Sequence, residues 1–167
     1  RLASTIVGIL GVETAFGRIT GRYRVIDALA TLAFDYPPRA QFFRGELVQF
    51  LLLTREENVD ARKALGSYAG AMGAPQFIST SYRKFAVDAD GDGKRDLWNS
   101  WDDIIGSIAN YLQGHGWRHN EPVIVNAALA SDDLSAFDVS TIALNETVQS
   151  LRDKGVEFET TMPPDTP

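Results

Sequence analysis

Hydrophobic residues in the first two thirds of the chain follow the spacing of α-helices. Leu2, Ile6, Ile9 and Leu10 recur at three- and four-residue steps, which places them on one face of a helix. Pro37-Pro38 interrupts the pattern, because proline cannot continue a helix interior. Helices are therefore predicted from residue 2 to about residues 17–21 and over residues 25–34, 39–56, 79–86 and 101–113.

The longest of these helices carries its own hydrophobic stripe. Phe43, Leu47, Phe50 and Leu51 share one side of it and are predicted to face the core. Residues 66–77, by contrast, are rich in Gly, Ala and Ser, and this composition argues against a regular helix.

After residue 117 the pattern becomes mixed. Residues 122–125 (Pro-Val-Ile-Val) predict a short strand, residues 144–154 a helix and residues 155–159 a second strand. The proline-rich residues 163–167 are typical of a linker. We therefore predict a mainly α fold, with a helical domain over residues 1–121 and a small mixed α/β segment over residues 122–167.

Composition narrows the class of protein. With 167 residues, 44% of them hydrophobic and 23% charged, the chain is about one domain long and typical of a folded globular protein. Its formal charge of −6, without a Lys/Arg cluster, argues against nucleic acid as a partner, because phosphate binding requires concentrated positive charge. No hydrophobic run approaches the roughly 20 residues that cross a membrane, so no transmembrane segment is predicted. The absence of cysteine excludes disulfides and thiolate zinc sites.

Glu13 is the first candidate for chemistry. One further step along the stripe of the first helix reaches this residue, in the run Gly-Val-Glu-Thr-Ala-Phe-Gly of residues 11–17. A carboxyl group on the packed side of a helix loses water, which favours its protonated form, and such an acid can protonate a leaving oxygen. The alternative is a glutamate that points into solvent, since a stripe drifts in its last turn.

An acidic run is the second candidate. Asp88, Asp90 and Asp92 alternate and a glycine follows at the sixth position, as at the start of an EF-hand calcium loop. Lys94 stands at the seventh position, which contributes a backbone carbonyl. The alternative is a solvated acidic turn, although three crowded carboxylates repel one another unless a cation neutralises them.

The end of this loop departs from the EF-hand. Asn99 replaces the usual glutamate at the twelfth position, and Asp102, three residues later, is the acid placed to close a longer loop. Asp102 lies just inside a helix for which Ser100 is the predicted N-cap and Asp103 the capping-box acid. Complementing the helix dipole is the other explanation for Asp102. A cation held here is expected to be structural, because the loop offers no obvious open coordination position.

Several motifs occur together in the order found in one enzyme family. They are residues 11–17 around Glu13, residues 27–34 (Asp-Ala-Leu-Ala-Thr-Leu-Ala-Phe), residues 70–77 (Gly-Ala-Met-Gly-Ala-Pro-Gln-Phe), the loop of residues 88–98 and residues 109–111 (Ala-Asn-Tyr). Over about residues 1–125 the chain closely resembles the B-type peptidoglycan lytic transglycosylases of bacterial cell walls, glycoside hydrolase family 103. The resemblance implies a lysozyme-like helical core with an EF-hand-like loop over residues 88–102 that holds structural calcium or another cation.

The resemblance also implies a reaction. Family members cleave the β-1,4 bond between N-acetylmuramic acid (MurNAc) and N-acetylglucosamine (GlcNAc) without water, because the muramic 6-hydroxyl attacks and leaves a 1,6-anhydro end. Glu13 matches the family's single catalytic glutamate, which protonates the glycosidic oxygen and then deprotonates the 6-hydroxyl. Asp27, Asp35 and Glu46 lie in no motif that suggests a second catalytic carboxylate. In the family the substrate's acetamido group takes over that role, and no cofactor is expected for catalysis.

Further residues are expected to contact the glycan. Gln76 can hydrogen-bond a sugar or acetamido group, and the guanidinium of Arg39 suits lactyl or peptide carboxylates. Structural alternatives are that Phe77 and Tyr111 are core aromatics and that Arg39 is a surface charge. The residues expected to bind substrate are Arg39, Ser67, Tyr68, Gln76, Phe77, Ser81 and Tyr111.

The family's helices before Arg1 and its Tyr-Asn segment after Pro167 have no counterpart in this chain. We therefore expect a fragment or processed form, with any targeting segment outside it, that acts on peptidoglycan glycan strands in the bacterial periplasm or cell envelope. Two alternatives remain open. A lysozyme-type muramidase would use water in place of the 6-hydroxyl, and a calcium-stabilised wall-binding module would bind without turnover.

Overall fold

A computed structural model of the chain describes residues 2–119, 121–131, 133–138, 140–141 and 144–167. It divides into two units, residues 1–119 and residues 120–167. The first unit is helical and the second is small and mixed, so the predicted fold class is confirmed. None of the helices in the described part combines the length and hydrophobicity that crossing a membrane requires.

Five helices form the first unit, close to the predicted positions. A 3₁₀ turn over Pro37–Arg39 separates the second helix from the third, where the proline pair interrupts the helical pattern. The helices are α1 (Leu2–Thr14), α2 (Val25–Asp35), α3 (Ala40–Glu56), α4 (Ser79–Phe85) and α5 (Trp101–Gly114).

The hydrophobic core lies where α2 packs against α3, α3 against α4, and α5 against both α4 and α1. In α3 the buried face follows Phe43, Glu46, Phe50 and Leu53, at three- and four-residue steps. The prediction that Leu51 faces the core is wrong, because this face is rotated toward Leu53 and leaves Leu51 44% exposed. The fully buried core side chains include Val25, Leu29, Phe50, Met72, Leu97, Ile104 and Ile108.

Residues 66–77 fold as tight antiparallel turns. Strand β1 (Tyr23–Arg24) pairs with β2 (Leu65–Gly66), and single bridges from Gly66 to Met72 and from Met72 to Phe77 continue the ladder. Gly73 shows why small residues fill this segment. Its φ is +68°, and a Cβ at this position would lie 2.2 Å from the carbonyl oxygen of a neighbouring loop.

The second unit contains a two-stranded sheet and one helix: β3 (Ala127–Leu129), α6 (Val148–Asp153) and β4 (Val156–Phe158). The strands are antiparallel, with Ala127 opposite Phe158. The predicted strand at residues 122–125 is wrong. A strand requires a pairing partner, and β4 ends at Phe158 opposite Ala127, so the hydrophobic residues before Ala127 remain unpaired.

The chain end packs against α6. The backbone N–H of Val148 donates to the carbonyl of Thr166 (2.9 Å), and that of Gln149 donates to the carbonyl of Pro164 (2.8 Å). These bonds occupy two of the donors that a helix start leaves without an intrahelical partner. Thr147 caps the same helix through a capping box with Ser150.

Candidate active site

Glu13 lies in the last turn of α1, and its side chain is exposed. The prediction that it faces the packed side is wrong, and the alternative of a solvent-facing glutamate holds. The buried residues of α1 are Ile6, Leu10 and Thr14, spaced four residues apart. Thr14 therefore takes the buried position, and Glu13, about 100° away around the helix, lies outside the core. A ligand can reach its carboxyl group from solvent.

The turn after Glu13 has a strained backbone. Ala15 and Phe16 have φ values of 49° and 61°, and Gly17 follows at 76°. A left-handed conformation costs a non-glycine residue about 1–3 kcal/mol and persists only where the surroundings enforce it. Part of that enforcement is the backbone N–H of Phe16, which donates to the carbonyl of Leu10 at 2.9 Å. The direction in which the chain leaves Glu13 is therefore fixed.

Thr14 joins this turn to residues 66–77. Its side chain is 1% exposed, and its Oγ1 donates to the carbonyl of Ala74 at 2.9 Å. The same oxygen accepts the backbone N–H of Gly17, also at 2.9 Å. Since both partners are backbone groups, the link fixes the position of Glu13 relative to this segment.

We expect Thr14→Val to lower the free energy of unfolding by about 1–3 kcal/mol, because two backbone groups lose their partner in a buried position. Urea denaturation measures the difference. Thr31→Val, at an exposed position of α2, is the matched control and should change stability by less than about 0.5 kcal/mol. Equal effects of the two substitutions would contradict the proposed role of Thr14.

Gln76 makes a second link between the same two regions. Its Nε2 donates to the carbonyl of Thr20 at 3.0 Å and to that of Gly73 at 2.9 Å. Its own φ is 52°, so this residue also has a left-handed backbone. Both amide hydrogens are occupied, and the amide oxygen is the group left to accept a hydrogen bond from a ligand.

Ser67 and Tyr68 lie at the start of this segment. The Oγ of Ser67 accepts the backbone N–H groups of Ala69 (3.2 Å) and Ala71 (3.0 Å) and so closes a turn. Tyr68, inside that turn, is 73% exposed. The turn therefore presents the tyrosine ring to solvent on a backbone that hydrogen bonds hold in place.

Phe77 and Tyr111 are in contact, as members of an aromatic cluster that joins residues 66–77 to α5. Their ring centroids are 5.3 Å apart, and Tyr111 also lies 5.0 Å from Phe85 and stacks on His115 at 4.1 Å. Phe77 is buried, with 7% of its surface exposed, whereas Tyr111 is half-buried. Tyr111 therefore keeps part of its ring accessible, and Phe77 supports it from the core.

Arg39 and Ser81 are linked less directly to the other predicted site residues. The guanidinium of Arg39 lies over the ring of Phe42 at 4.4 Å, on the exposed start of α3. Ser81 is half-buried in α4. In the part of the chain that the structure describes, no hydrogen bond or ion pair is seen between Arg39 and residues 66–77, so the site residues that the structure visibly links are those around Glu13, Gln76 and Tyr111.

The acidic loop brings three carboxylates together. Asp88, Asp90 and Asp92 each place one oxygen within 4.8 Å of the others, and all three are exposed. Asp88 also accepts the backbone N–H of Gly93 at 2.9 Å, which folds the loop around its carboxylate. A hydrogen bond from the Oγ of Ser100 to Asp90 (2.8 Å) holds the pKa of Asp90 below its ordinary value. This arrangement of oxygens suits a hard cation such as calcium.

Asp103 anchors the loop, a role that the sequence did not predict. Its carboxylate is completely buried and accepts the backbone N–H groups of Ala89 and Asp96, both at 2.7 Å. The capping-box assignment is therefore wrong for this side chain, although Ser100 is the N-cap of α5 as predicted. Asp102 is exposed and lies outside the group of three aspartates.

Glu46 is a second buried acid whose role the sequence did not predict. It is 3% exposed, and its two oxygens accept the Oγ1 and the backbone N–H of Thr80, at 2.7 and 3.0 Å. The N-cap residue of α4, Ile78, supplies no side-chain acceptor, so Glu46 caps this helix from α3. Its signal in the sequence is its place between Phe43 and Phe50 on the hydrophobic stripe.

Comparison with known proteins decides the family. The family model described as "Transglycosylase SLT domain" matches residues 2–166. The chain belongs to this family. Membrane-bound lytic murein transglycosylase B of Escherichia coli (strain K12) is 53% identical to it over 122 residues, which are 73% of this chain and 34% of that protein.

Solved structures agree with this assignment. Lytic transglycosylase SltB1 from Pseudomonas aeruginosa matches with a TM-score of 0.90 and 48% identity, over 98% of this chain and 54% of that one. Slt35 from Escherichia coli in complex with calcium matches with a TM-score of 0.82 and 42% identity, over 96% of this chain and 50% of that one. SltB3 from Pseudomonas aeruginosa in complex with NAG-anhNAM-pentapeptide matches with a TM-score of 0.75 and 37% identity, over 93% of this chain and 40% of that one.

These likenesses confirm the predicted B-type lytic transglycosylase family and its lysozyme-like helical core. The chain spans between about a third and about a half of the length of the relatives that it matches.

Proposed function

We propose that this chain is a peptidoglycan lytic transglycosylase domain that cleaves the β-1,4 bond between MurNAc and GlcNAc and leaves 1,6-anhydromuramic ends. The observation that carries the proposal is the placement of Glu13. It is accessible to a ligand, it lies in the family motif, and Thr14 and Gln76 fix it to residues 70–77, a second family motif. Relatives named lytic transglycosylases, and the similar protein SltB3 in complex with NAG-anhNAM-pentapeptide, support the same reaction.

Glu13 acts twice in the proposed mechanism. In its protonated form it gives its proton to the glycosidic oxygen as the bond between C1 of MurNAc and that oxygen breaks. The resulting carboxylate takes the proton of the 6-hydroxyl while O6 bonds to C1, which closes the anhydro ring and restores the acid. No water is consumed. One carboxyl group suffices because the acetamido oxygen of the substrate stabilises C1, as in substrate-assisted glycosidases.

The exposure of Glu13 is compatible with this role. A glycan strand has to reach the carboxyl group from solvent, and the bound sugar rings then exclude water from it. In our proposal the amide oxygen of Gln76 accepts a hydrogen bond from the sugar, while Tyr68 and Tyr111 offer ring surface to it. Phe77 supports Tyr111 from the core.

The remaining residues of the predicted cleft contribute charge and hydroxyl groups. We assign Ser67 and Ser81 to hydrogen bonds with the glycan. Arg39 is assigned to carboxylates of the lactyl group or stem peptide, because its guanidinium is exposed and already held over an aromatic ring.

The acidic loop is proposed to hold a structural calcium ion. Asp88, Asp90 and Asp92 supply carboxylate oxygens, the carbonyl of Lys94 supplies a fourth ligand, and Asp102 is the fifth in the set that the family resemblance implies. The cluster of three aspartates and the calcium complex of Slt35 support this assignment. The ion would stabilise the loop between α4 and α5 and take no part in bond cleavage.

We expect calcium to raise the melting temperature of the metal-free chain by roughly 5–10 °C at one hundred times its Kd, because a ligand that binds only the folded state stabilises it by mass action. Asp90→Ala with Asp92→Ala should abolish the rise. Asp133→Ala with Asp138→Ala removes the same charge from exposed aspartates of the second unit and should leave the rise intact. A melting curve that does not respond to calcium would rule out the site.

Mass spectrometry of the soluble products from purified peptidoglycan, with calcium present, tests the proposed reaction. Anhydromuramic ends, which are lighter than reducing ends by one water, support a lytic transglycosylase. Reducing ends would instead assign the domain as a muramidase. Binding without any product would assign a wall-binding module. Because peptidoglycan is the proposed substrate, we propose that the natural protein acts in the bacterial periplasm or cell envelope.

A further inference from the structure

A cavity of about 520 Å³ lies between the end of α3, residues 58–65 and residues 94–99. Its lining includes none of the residues assigned to the glycan cleft. The volume falls within the range of small-molecule sites, about 300–1,000 Å³. The cavity therefore has room for a disaccharide at a position separate from Glu13.

The carboxylates that line the cavity are already occupied. Glu57 accepts the backbone N–H and the Nε of Arg95, at 3.0 and 2.6 Å. Asp96 accepts the backbone N–H of Trp98 at 2.8 Å. Asp60 accepts the backbone N–H two residues further along at 2.9 Å, and this bond holds its pKa below the ordinary value. Hydrogen bonds therefore hold these carboxylates in place, and Glu57 also faces the guanidinium of Arg95.

Two lysines of the lining, Lys63 and Lys94, are exposed. The ammonium of Lys63 lies 3.9 Å from the nearest carboxylate oxygen, that of Asp60, and its side chain is 85% exposed. Lys94 is exposed, and no ion pair of its ammonium is seen among the described residues. The exposed ammonium groups of these two lysines can donate charge-assisted hydrogen bonds to a carboxylate of a ligand.

Trp98 gives the cavity an aromatic wall with a fixed orientation. Its indole N–H donates to the carbonyl of Leu65 at 3.0 Å, and its ring lies 5.8 Å from that of Tyr82. The residue is half-buried, so part of the ring is accessible. An accessible ring that a hydrogen bond and an aromatic contact hold in place suits the apolar face of a sugar. The side-chain amide of Asn58, in the same lining, can hydrogen-bond hydroxyl or acetamido groups.

We propose that this cavity is an accessory binding site for a carboxylate-bearing amino sugar, with the sugar ring against Trp98 and the carboxylate between Lys63 and Lys94. The choice of saccharide rests on the proposed function, since the lactyl group of MurNAc carries such a carboxylate. The site would hold a second stretch of glycan strand while Glu13 acts on the first.

The test is an NMR titration of the ¹⁵N-labelled Glu13→Gln chain in saturating calcium, with GlcNAc-MurNAc as the probe and GlcNAc-GlcNAc as its neutral counterpart. We expect GlcNAc-MurNAc to shift the indole N–H of Trp98 and the amides of Asn58 and Asn99, and to bind there more tightly than the neutral disaccharide. Shifts confined to the surroundings of residue 13 and Gln76, or equal affinity for the two sugars, would overturn the proposal.

Matched variants test whether the two lysines cause the preference for the charged disaccharide. Lys63→Gln with Lys94→Gln should weaken GlcNAc-MurNAc about fivefold at the cavity and leave GlcNAc-GlcNAc unchanged, because exposed ion pairs contribute modestly. Lys84→Gln with Lys154→Gln alters the chain's other lysines, gives the same net charge and should leave both affinities unchanged. Equal weakening by both pairs would contradict a local role for the cavity lysines.

The titration and the product assay can fail independently. Binding at Trp98 is read without turnover, so a chain that forms no anhydromuramic product and still shows these shifts would refute the proposed reaction and keep the accessory site. Formation of anhydromuramic product without shifts at Trp98 would support the proposed reaction and refute the accessory site.

Discussion

Glu13→Gln is expected to lower the rate of anhydromuramic product formation by about 10²–10⁴-fold, the contribution typical of a positioned general acid–base group. Glutamine keeps the size and polarity of the side chain but can neither give a proton to the glycosidic oxygen nor take one from the 6-hydroxyl. Because Glu13 is exposed, the substitution should leave the melting temperature almost unchanged. Product quantification by mass spectrometry measures the effect.

Glu159→Gln is the matched control for this prediction. It makes the same change at an exposed glutamate of the second unit and should keep full activity. If Glu13→Gln retained more than about a tenth of the wild-type rate, Glu13 would not be the catalytic acid, and another carboxyl group would have to supply the proton.

The second large effect is expected from Asp103→Ala, which should lower the free energy of unfolding by about 3–5 kcal/mol in calcium-free buffer. The carboxylate of Asp103 is completely buried and accepts two backbone N–H groups at 2.7 Å. Alanine leaves both donors without a partner and removes the anchor between the acidic loop and α5. Urea denaturation measures the loss.

Asp102→Ala provides an unusually close comparison, because the adjacent aspartate is exposed. Without calcium it loses at most a favourable contact with the helix dipole, about 1 kcal/mol or less. If Asp102 is a cation ligand, as proposed, the same variant should reduce the calcium-dependent rise in melting temperature. Equal destabilisation by the two variants in calcium-free buffer would contradict the anchoring role of Asp103.

The sequence predicted the helices of the first unit well, because their hydrophobic residues repeat with a clear period and prolines mark the break before α3. It predicted less well which residue of a helix end is buried. Consecutive residues are about 100° apart around a helix, so an error of one position separates buried Thr14 from exposed Glu13. In α3 the buried stripe continues from Phe50 by a three-residue step to Leu53, and the adjacent Leu51 turns away from the core.

The hydrogen bonds that assemble the site could not be predicted from the sequence, because they join residues far apart along the chain. Gln76 bonds to the carbonyl of Thr20, and Thr14 to that of Ala74, and neither pair has a local signal. Family motifs did identify Glu13, Gln76 and the acidic loop as candidates. They did not reveal that Gln76 uses both amide hydrogens internally.

The sequence also failed to predict the roles of the two buried acids. Asp103 and Glu46 both hold backbone N–H groups of a different segment, and a carboxylate in that role looks like a surface charge in the sequence. A charged residue on a hydrophobic stripe was the available signal for Glu46, between Phe43 and Phe50. For Asp103, a helix-capping role also fitted the sequence, so its buried position was not predicted.

Cleavage of purified peptidoglycan in oxygen-18-labelled water tests the central claim most directly, because only attack by water brings solvent oxygen to the new muramic end. We predict product ends one water lighter than reducing ends and free of oxygen-18, formed by the wild-type chain and lost in Glu13→Gln. Reducing muramic ends that carry oxygen-18 would contradict the account and identify a hydrolase.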